Sequence, residues 1–251
     1  MLLQSPMRIA LVLLMMVVAS RPAWGVEGVI LLHGLARTDR SMVKLAAALE
    51  GAGYGVVNVD YPSRTGTIEM LADTTIRQAL EHPEIRAAQK VHFVTHSLGG
   101  ILVRQYLKSR SIEHLGRVVM LGPPNQGSEV VDRLGDVALF GMINGPAGQQ
   151  LGTGSDSVPN RLGSVDFELG VVAGDRSINW INSVMIPGPD DGKVSVEQTK
   201  VAGMKEHIII HVSHPFLMRN EQVIRATLRF LRRGTFREVD TPAVDLAETR
   251  L

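Results

Sequence analysis

The sequence predicts an α/β fold, with a mostly parallel sheet of six strands, or slightly more, and helices on both faces. Three observations carry that expectation. Apolar runs of strand length alternate with amphipathic stretches along most of the chain. This is the pattern of βαβ units, whose strands run parallel and must be covered on both sides. The runs are mostly apolar rather than strictly alternating, as strands buried on both faces are. Finally, 251 residues at 45% hydrophobic content supply one sizeable core and are too few for two comfortable domains.

Taken in order, residues 28–32 (GVILL) form the first strand and run into His33, Gly34 and Leu35. Residues 39–49 read as a helix that buries Met42, Leu45, Ala46 and Leu49 and is closed by Gly51 and Gly53. A strand over 56–61 stops at Pro62, and a helix over 67–80 presents Ile68, Leu71, Ala72, Ile76, Ala79 and Leu80 as one stripe before Pro83. Strand 91–95 and helix 98–106 follow, then strands at 117–121, 169–173 and 207–212 and a last helix at 216–231, stopped by Gly234. Residues 126–165 break the alternation: they are glycine-rich, with one apolar cluster at 137–143. A stretch of this kind inside a compact α/β chain reads as a lid-like insertion. The expected organisation is therefore a domain over 26–234 containing that insertion, and a polar C-terminal tail over 235–251.

The N-terminus is a separate object. Arg8 precedes eleven apolar residues from Ile9 to Ala19, followed by Ala23, Trp24 and Gly25. A membrane-spanning helix needs about 20 such residues. A shorter run with a basic flank and small residues before the cut reads as a secretory signal peptide over 1–25, cleaved after Gly25. The expectation is export to the periplasm or medium of a bacterium. Cysteine is absent, which removes disulfides, a thiol nucleophile, thiolate metal sites and a lipoprotein anchor. Charge is balanced, with 26 Lys and Arg against 25 Asp and Glu, so no nucleic-acid partner is expected.

The chemistry points to Ser97. In VHFVTHSLGG the serine stands where a strand meets a helix. A sharp turn there lifts the hydroxyl clear of the sheet and aims the Leu98 amide at the place of a reacting carbonyl oxygen. The G-x-S-x-G pattern is kept except that Thr95 replaces the first glycine. A serine hydroxyl needs a histidine base, and the base needs a carboxylate to fix its tautomer. In open α/β sheets these follow in the order serine, acid, histidine.

His214 lies past the end of the last strand, at the correct edge of the sheet, with His211 the alternative and His207 opening that strand. For the acid, Asp191 is favoured, while Asp190 and Asp175 stay open. Leu35, after the first strand, would bring a second amide to the oxyanion, with His33 and His96 ordering their loops. His82, His92 and His114 read as helix-end or surface residues, and no metal pattern emerges.

The strand ending HGL, the THSLGG elbow, PPNQGS at 123–128, D-G-x-V at 191–194 and SHPF around His214 resemble bacterial lipases and esterases of the α/β-hydrolase superfamily. The likeness runs from about Val29 to Leu231 and is closest to small secreted triacylglycerol lipases and related deacylases. It implies that no cofactor is needed and that the segment after NQGS shapes an acyl pocket. The expected function is a serine hydrolase of carboxylic esters, with lipid or acyl esters favoured and transient contact with a lipid surface possible in principle. An acyltransferase or thioesterase using the same residues, or an inactive hydrophobic-ligand binder, are the alternatives. The basic run Arg225, Arg229, Arg232 and Arg233 reads as a solvated helix face. Oligomeric state is not legible.

Overall fold

The computed structural model describes residues 26–134, 138–178 and 180–238. The expected signal peptide, Val137 of the apolar run and residues 239–251 of the expected tail lie outside them. Six strands, β1 (Gly28–Leu32), β2 (Gly55–Val59), β3 (Val91–His96), β4 (Leu115–Leu121), β5 (Leu169–Gly174) and β6 (Glu206–Ile210), form one sheet in the order β2-β1-β3-β4-β5-β6. Every pairing is parallel. The helices are α1 (Val43–Gly51), α2 (Ile68–Leu80), α3 (Pro83–Arg86), α4 (Leu98–Ser109), α5 (Glu129–Leu134), α6 (Ala138–Gln149), α7 (Val158–Arg161), α8 (Trp180–Met185) and α9 (Glu221–Arg233).

Why the central strands are mostly apolar is visible in how their residues divide. Ile30, Leu32, Phe93, Val118, Met120, Leu169 and Val171 pack with α2 and α4 on one face. Val29, Leu31, Val94, Val119, Leu121 and Val172 pack with α1 and α9 on the other. Successive side chains point to opposite faces, so a strand between two cores has no polar side. The chain moves outward from β1 to β2 and then returns to place β3 on the other side of β1. That reversal opens a crevice at the carboxyl ends of β1 and β3, where ligands bind in sheets of this type.

Several details depart from the sequence reading. The expected helix at 39–49 starts with a 3-10 turn over Asp39–Met42 before α1. The expected last helix is two pieces, a 3-10 turn over His214–Arg219 and then α9. Asn220 divides them: its backbone is extended, and its Oδ1 accepts from the amides of Gln222 (2.8 Å) and Val223 (3.1 Å). Apolar periodicity continues across the break, but a good capping residue restarts the helix. The first residues of the expected tail are docked rather than loose. Phe236 is buried with its ring 4.7 Å from that of Phe230, and Thr235 Oγ1 donates to Glu206. In the basic run of α9, Arg225 pairs with Glu221 and Arg229 with Glu238.

The segment between β4 and β5 is held at its base. Ser128 N donates to Leu151 O (2.9 Å), and a Cβ on Gly127, whose φ is +96°, would lie 2.1 Å from Gly152 O. Only glycine allows the two passages of chain to lie so close. Beyond this neck, Asp132 accepts from Thr153, and Gln150 Oε1 accepts from the Ile68 amide at the start of α2 (2.7 Å). Arg104, buried in α4, donates to Asn125 O (2.7 Å), Pro159 O (3.1 Å) and Gly163 O (2.7 Å). A guanidinium with carbonyl acceptors thus fastens the helix after Ser97 to the loop at the start of the segment and to α7 and the residues just after it.

Candidate active site

Ser97 stands between β3 and α4 with φ 52° and ψ −120°. This conformation costs a non-glycine residue on the order of 1–3 kcal/mol and persists only where the surroundings fix it. Here the Ser97 amide donates to Leu121 O on β4 (2.9 Å), and its carbonyl accepts from the Gly100 amide (3.0 Å). Close helix packing completes the hold, since a Cβ on Gly99 would meet Leu32 O at 2.6 Å. Thr95, the residue that departs from the usual pattern, is fully buried. It fits because Gly100 is bare: a Cβ there would come 3.2 Å from Thr95 Oγ1, a hydroxyl with no hydrogen-bond partner.

The carboxyl ends of β1, β5 and β6 supply the other groups. His214 Nδ1 lies 2.7 Å from Asp191 Oδ2, with Asp191 at 0% exposure and His214 at 6%. Asp191 Oδ1 accepts from the amides of Lys193 (3.0 Å) and Val194 (2.9 Å), and the His214 amide donates to Asp191 O (2.9 Å). A carboxylate has only acceptors to offer, so Nδ1 carries the proton of this contact and, in the neutral ring, Nε2 is the nitrogen that can accept one. The other two carboxylates go elsewhere. Asp190 Oδ1 accepts from Gly192 N (2.7 Å) and Ser183 Oγ (2.9 Å), and Asp175 pairs with His211 (2.9 Å). That second pair is exposed, because β6 ends before His211, which sequence had placed inside the strand. His207 Nε2 lies 2.8 Å from Thr199 Oγ1.

The loop after β1 is set by His33. Its Nδ1 donates to Gly34 O (2.8 Å), its Nε2 accepts from the Tyr61 amide (3.3 Å), and its ring stacks on Tyr61 at 4.1 Å. Burial holds its pKa below the ordinary histidine value, consistent with a neutral ring that donates from one nitrogen and accepts at the other. Because the Gly34 carbonyl and the Leu35 amide belong to one planar peptide, fixing the carbonyl fixes the direction of the amide. Gly34 itself lies against the elbow, where a Cβ would be 2.7 Å from His96 Nδ1 and 3.1 Å from Ser97 Cβ. Among the described residues neither the Leu35 nor the Leu98 amide has an acceptor.

His96 Nε2 donates to the backbone oxygen of His214 (3.1 Å), and the two rings are 4.6 Å apart. Burial, reinforced by His214, holds the His96 pKa well below its ordinary value. His92, which sequence reading put at the surface, is 1% exposed. Its Nδ1 accepts from the Arg117 amide (2.8 Å) and its Nε2 lies 3.3 Å from Glu27.

Leu35, His96, Ser97 and His214 line one cavity of about 140 Å³, closed by Val130, Val131, Asn144 and Leu151 from the segment between β4 and β5. Residues 29–226 match the alpha/beta hydrolase family over most of the chain. The chain belongs to that family.

Solved structures agree with this alpha/beta hydrolase in fold. The mature Bacillus licheniformis lipase BlEst2 superposes with a TM-score of 0.65 at 18% identity, over 86% of this chain and 95% of that one. The Legionella pneumophila phospholipase PlaB gives 0.65 at 19% identity, over 84% of this chain and 60% of that one. A Pyrococcus furiosus esterase gives 0.58 at 17% identity, over 84% and 83%. A search of the curated proteins returned no match.

Some contributors to the hydrolase cavity were not found from sequence. Arg37 and Lys193 line it too. Gly122, directly after β4, leaves the room that Asp191 and His214 occupy, since a Cβ there would lie 3.0 Å from Asp191 Oδ2 and 3.1 Å from His214 Nδ1. A glycine directly after a strand was the available signal for Gly122; nothing local marked the two cations. Among the described residues no group of three or more His, Cys, Asp or Glu could hold a metal ion, and no helix is long and apolar enough to cross a membrane.

Proposed function

We propose that this alpha/beta hydrolase cleaves carboxylic esters through an acyl-enzyme on Ser97. The observation that carries the reading is the buried Asp191–His214 contact of 2.7 Å, whose histidine shares one cavity with a serine held at φ 52°. Ser97 Oγ attacks the ester carbonyl as its proton passes to His214 Nε2, and Asp191 stabilises the imidazolium. The negative oxygen forms between the Leu35 and Leu98 amides. Removing one such donor in an enzyme of this kind costs about 100-fold or more in turnover. The carbon–oxygen bond to the alcohol then breaks, and the alcohol leaves with the proton from His214. Water repeats the sequence in the second half-reaction and releases the acid.

The apolar lining of Val130, Val131 and Leu151 supports an acyl group on that side of the cavity. Its 140 Å³ is small beside the roughly 300–1,000 Å³ of drug-sized pockets. The substrate class we propose is therefore a short-acyl ester, with longer lipid chains requiring the segment between β4 and β5 to open. We further propose export, from Arg8 and the apolar run at 9–19. N-terminal sequencing of the cell-free protein checks it, and a mature chain retaining residues 1–25 counts against it.

The decisive experiment is fluorophosphonate labelling of the folded protein and of its Ser97→Ala and His214→Ala variants. The reading requires labelling that both substitutions abolish. Labelling that survives Ser97→Ala, or none in the folded parent protein, overturns it.

A further inference from the structure

We propose that Arg37 and Lys193 form a subsite for an anionic group on the ester substrate, so that this hydrolase selects negatively charged esters over neutral ones. The inference rests on the ester-hydrolase reading and adds the substrate's charge to it. Both side chains line the cavity that holds Ser97 and His214, and its lining contains no Asp or Glu. Among the described residues neither side chain has an ion-pair or hydrogen-bond partner. Some surface cations are paired, Arg77 with Asp73, Lys200 with Glu197 and Arg225 with Glu221; what sets Arg37 and Lys193 apart is that they share the cavity of Ser97.

Each cation is carried by a loop that also carries part of the site. The Arg37 amide donates to Gly34 O (3.3 Å), the carbonyl whose peptide presents the Leu35 amide. The Lys193 amide donates to Asp191 Oδ1 (3.0 Å), and its carbonyl accepts from Ser128 Oγ (2.8 Å). The backbones of both residues are therefore fixed relative to Ser97, while their long side chains are unengaged.

They also repel. Burial is the main influence that lowers the Lys193 pKa, and the charge of Arg37 adds to it, partly countered by Asp191. Arg37 is lowered by burial and then by Arg219. Like charges gathered at one cavity, which Asp191 offsets only in part and from outside the lining, are relieved by a bound anion. The oxyanion does not need them, because two backbone amides already face it. A guanidinium fork beside an ammonium suits a carboxylate or a phosphate, which the fork meets through two parallel hydrogen bonds.

The test compares matched esters at low salt. In the carboxylate arm, p-nitrophenyl hydrogen glutarate is set against its neutral methyl ester, with uncatalysed hydrolysis subtracted. In the phosphate arm, monomeric dihexanoylphosphatidylglycerol is set against dihexanoylglycerol. We expect kcat/KM to favour the anionic member of at least one arm by about tenfold, with the ratio shrinking as salt rises. The preferred arm identifies the anion. Arg37→Gln and Lys193→Met should each lower the ratio several-fold, and Arg37→Glu should reverse it.

A ratio near one in both arms overturns the subsite while leaving ester hydrolysis intact. So does a ratio that neither Arg37→Gln nor Lys193→Met changes. Failure of the underlying reading looks different: no ester of either charge is turned over and Ser97 takes up no fluorophosphonate.

Discussion

Replacing Asp191 by Asn keeps the shape of the side chain and exchanges one acceptor for a donor, so its consequence can be worked out from the neighbours. Asp191 Oδ1 accepts from the part-buried amide of Lys193 and the buried amide of Val194, and Oδ2 faces His214 Nδ1. If the new NH₂ turned toward the two amides, two donors would lose their acceptor, at about 1–3 kcal/mol each. If the NH₂ turns toward His214 instead, the conflict is with one proton on Nδ1, which the imidazole removes by changing tautomer. The second arrangement wins by several kcal/mol. It places the histidine proton on Nε2, where the Ser97 proton has to go. Asp191→Asn should therefore fold almost normally and lose about 10⁴-fold in kcat, the size of loss found where the same tautomer is imposed in another triad; that is about 5.5 kcal/mol of barrier. Asp191→Ala should instead lower the unfolding free energy by about 2–6 kcal/mol, because it orphans both amides. The assays are ester turnover and urea unfolding of both variants, beside Asp190→Asn and Asp175→Asn. An Asp191→Asn enzyme within tenfold of its parent, or an equal loss in either of the other two Asn variants, refutes the reasoning.

Acid should destabilise the protein through its buried imidazoles. The His33 and His96 pKa values are lowered by burial; below about pH 6.5 the unfolded chain then binds protons that the folded one refuses. Unfolding free energy should be full above that pH and fall below it by up to about 1.4 kcal/mol per pH unit for each histidine; a urea midpoint unchanged between pH 7.5 and 5 contradicts this. Gly127→Ala would force a Cβ to 2.1 Å from Gly152 O at φ +96°. A loss of at least about 2 kcal/mol is expected, with faster proteolysis inside 129–150; unchanged stability and cleavage would show that the neck is not tight. Thr95→Val removes a buried hydroxyl without a partner, and should raise stability by about 1 kcal/mol in urea unfolding. A drop of that size would mean the hydroxyl is satisfied. On a p-nitrophenyl ester series, the 140 Å³ cavity predicts higher kcat/KM for butyrate than for palmitate; the opposite order would mean the segment between β4 and β5 opens readily.

How far the sequence spoke depended on whether a feature was local. The strands were legible because burial on both faces leaves a continuous apolar run, and the elbow because strand, turn and helix lie within a few residues. Sequence favoured Asp191 but left Asp190 and Asp175 open, since each follows a strand or a turn, and what separates them is which one reaches His214 across 23 positions of sequence. His92 was misread for a similar reason. Its partners Glu27 and Arg117 are 65 and 25 residues away, and nothing nearby announces that the ring is buried between them. Arg37 and Lys193 look like ordinary loop cations until β1 and the 191–194 turn are brought to one cavity. The Asn220 break was locally encoded, but the apolar stripe on either side outweighed it.

The strand order also governs when the parts meet. β3 is flanked by β1 and β4, so the strands that border the turn at Ser97 and the Leu121 carbonyl that holds its amide have been synthesised once β4 is complete. Asp191 and His214 arrive on loops that follow β5 and β6, at the far side of the sheet. Since chains are made from the N-terminus and structure accumulates in that direction, a nascent chain carries a finished turn with an unactivated hydroxyl. A fragment ending anywhere before residue 214 lacks the base that this hydroxyl requires. Under the proposed mechanism, reactivity is withheld from every product of translation that ends before His214 and is switched on when the loop after β6 docks.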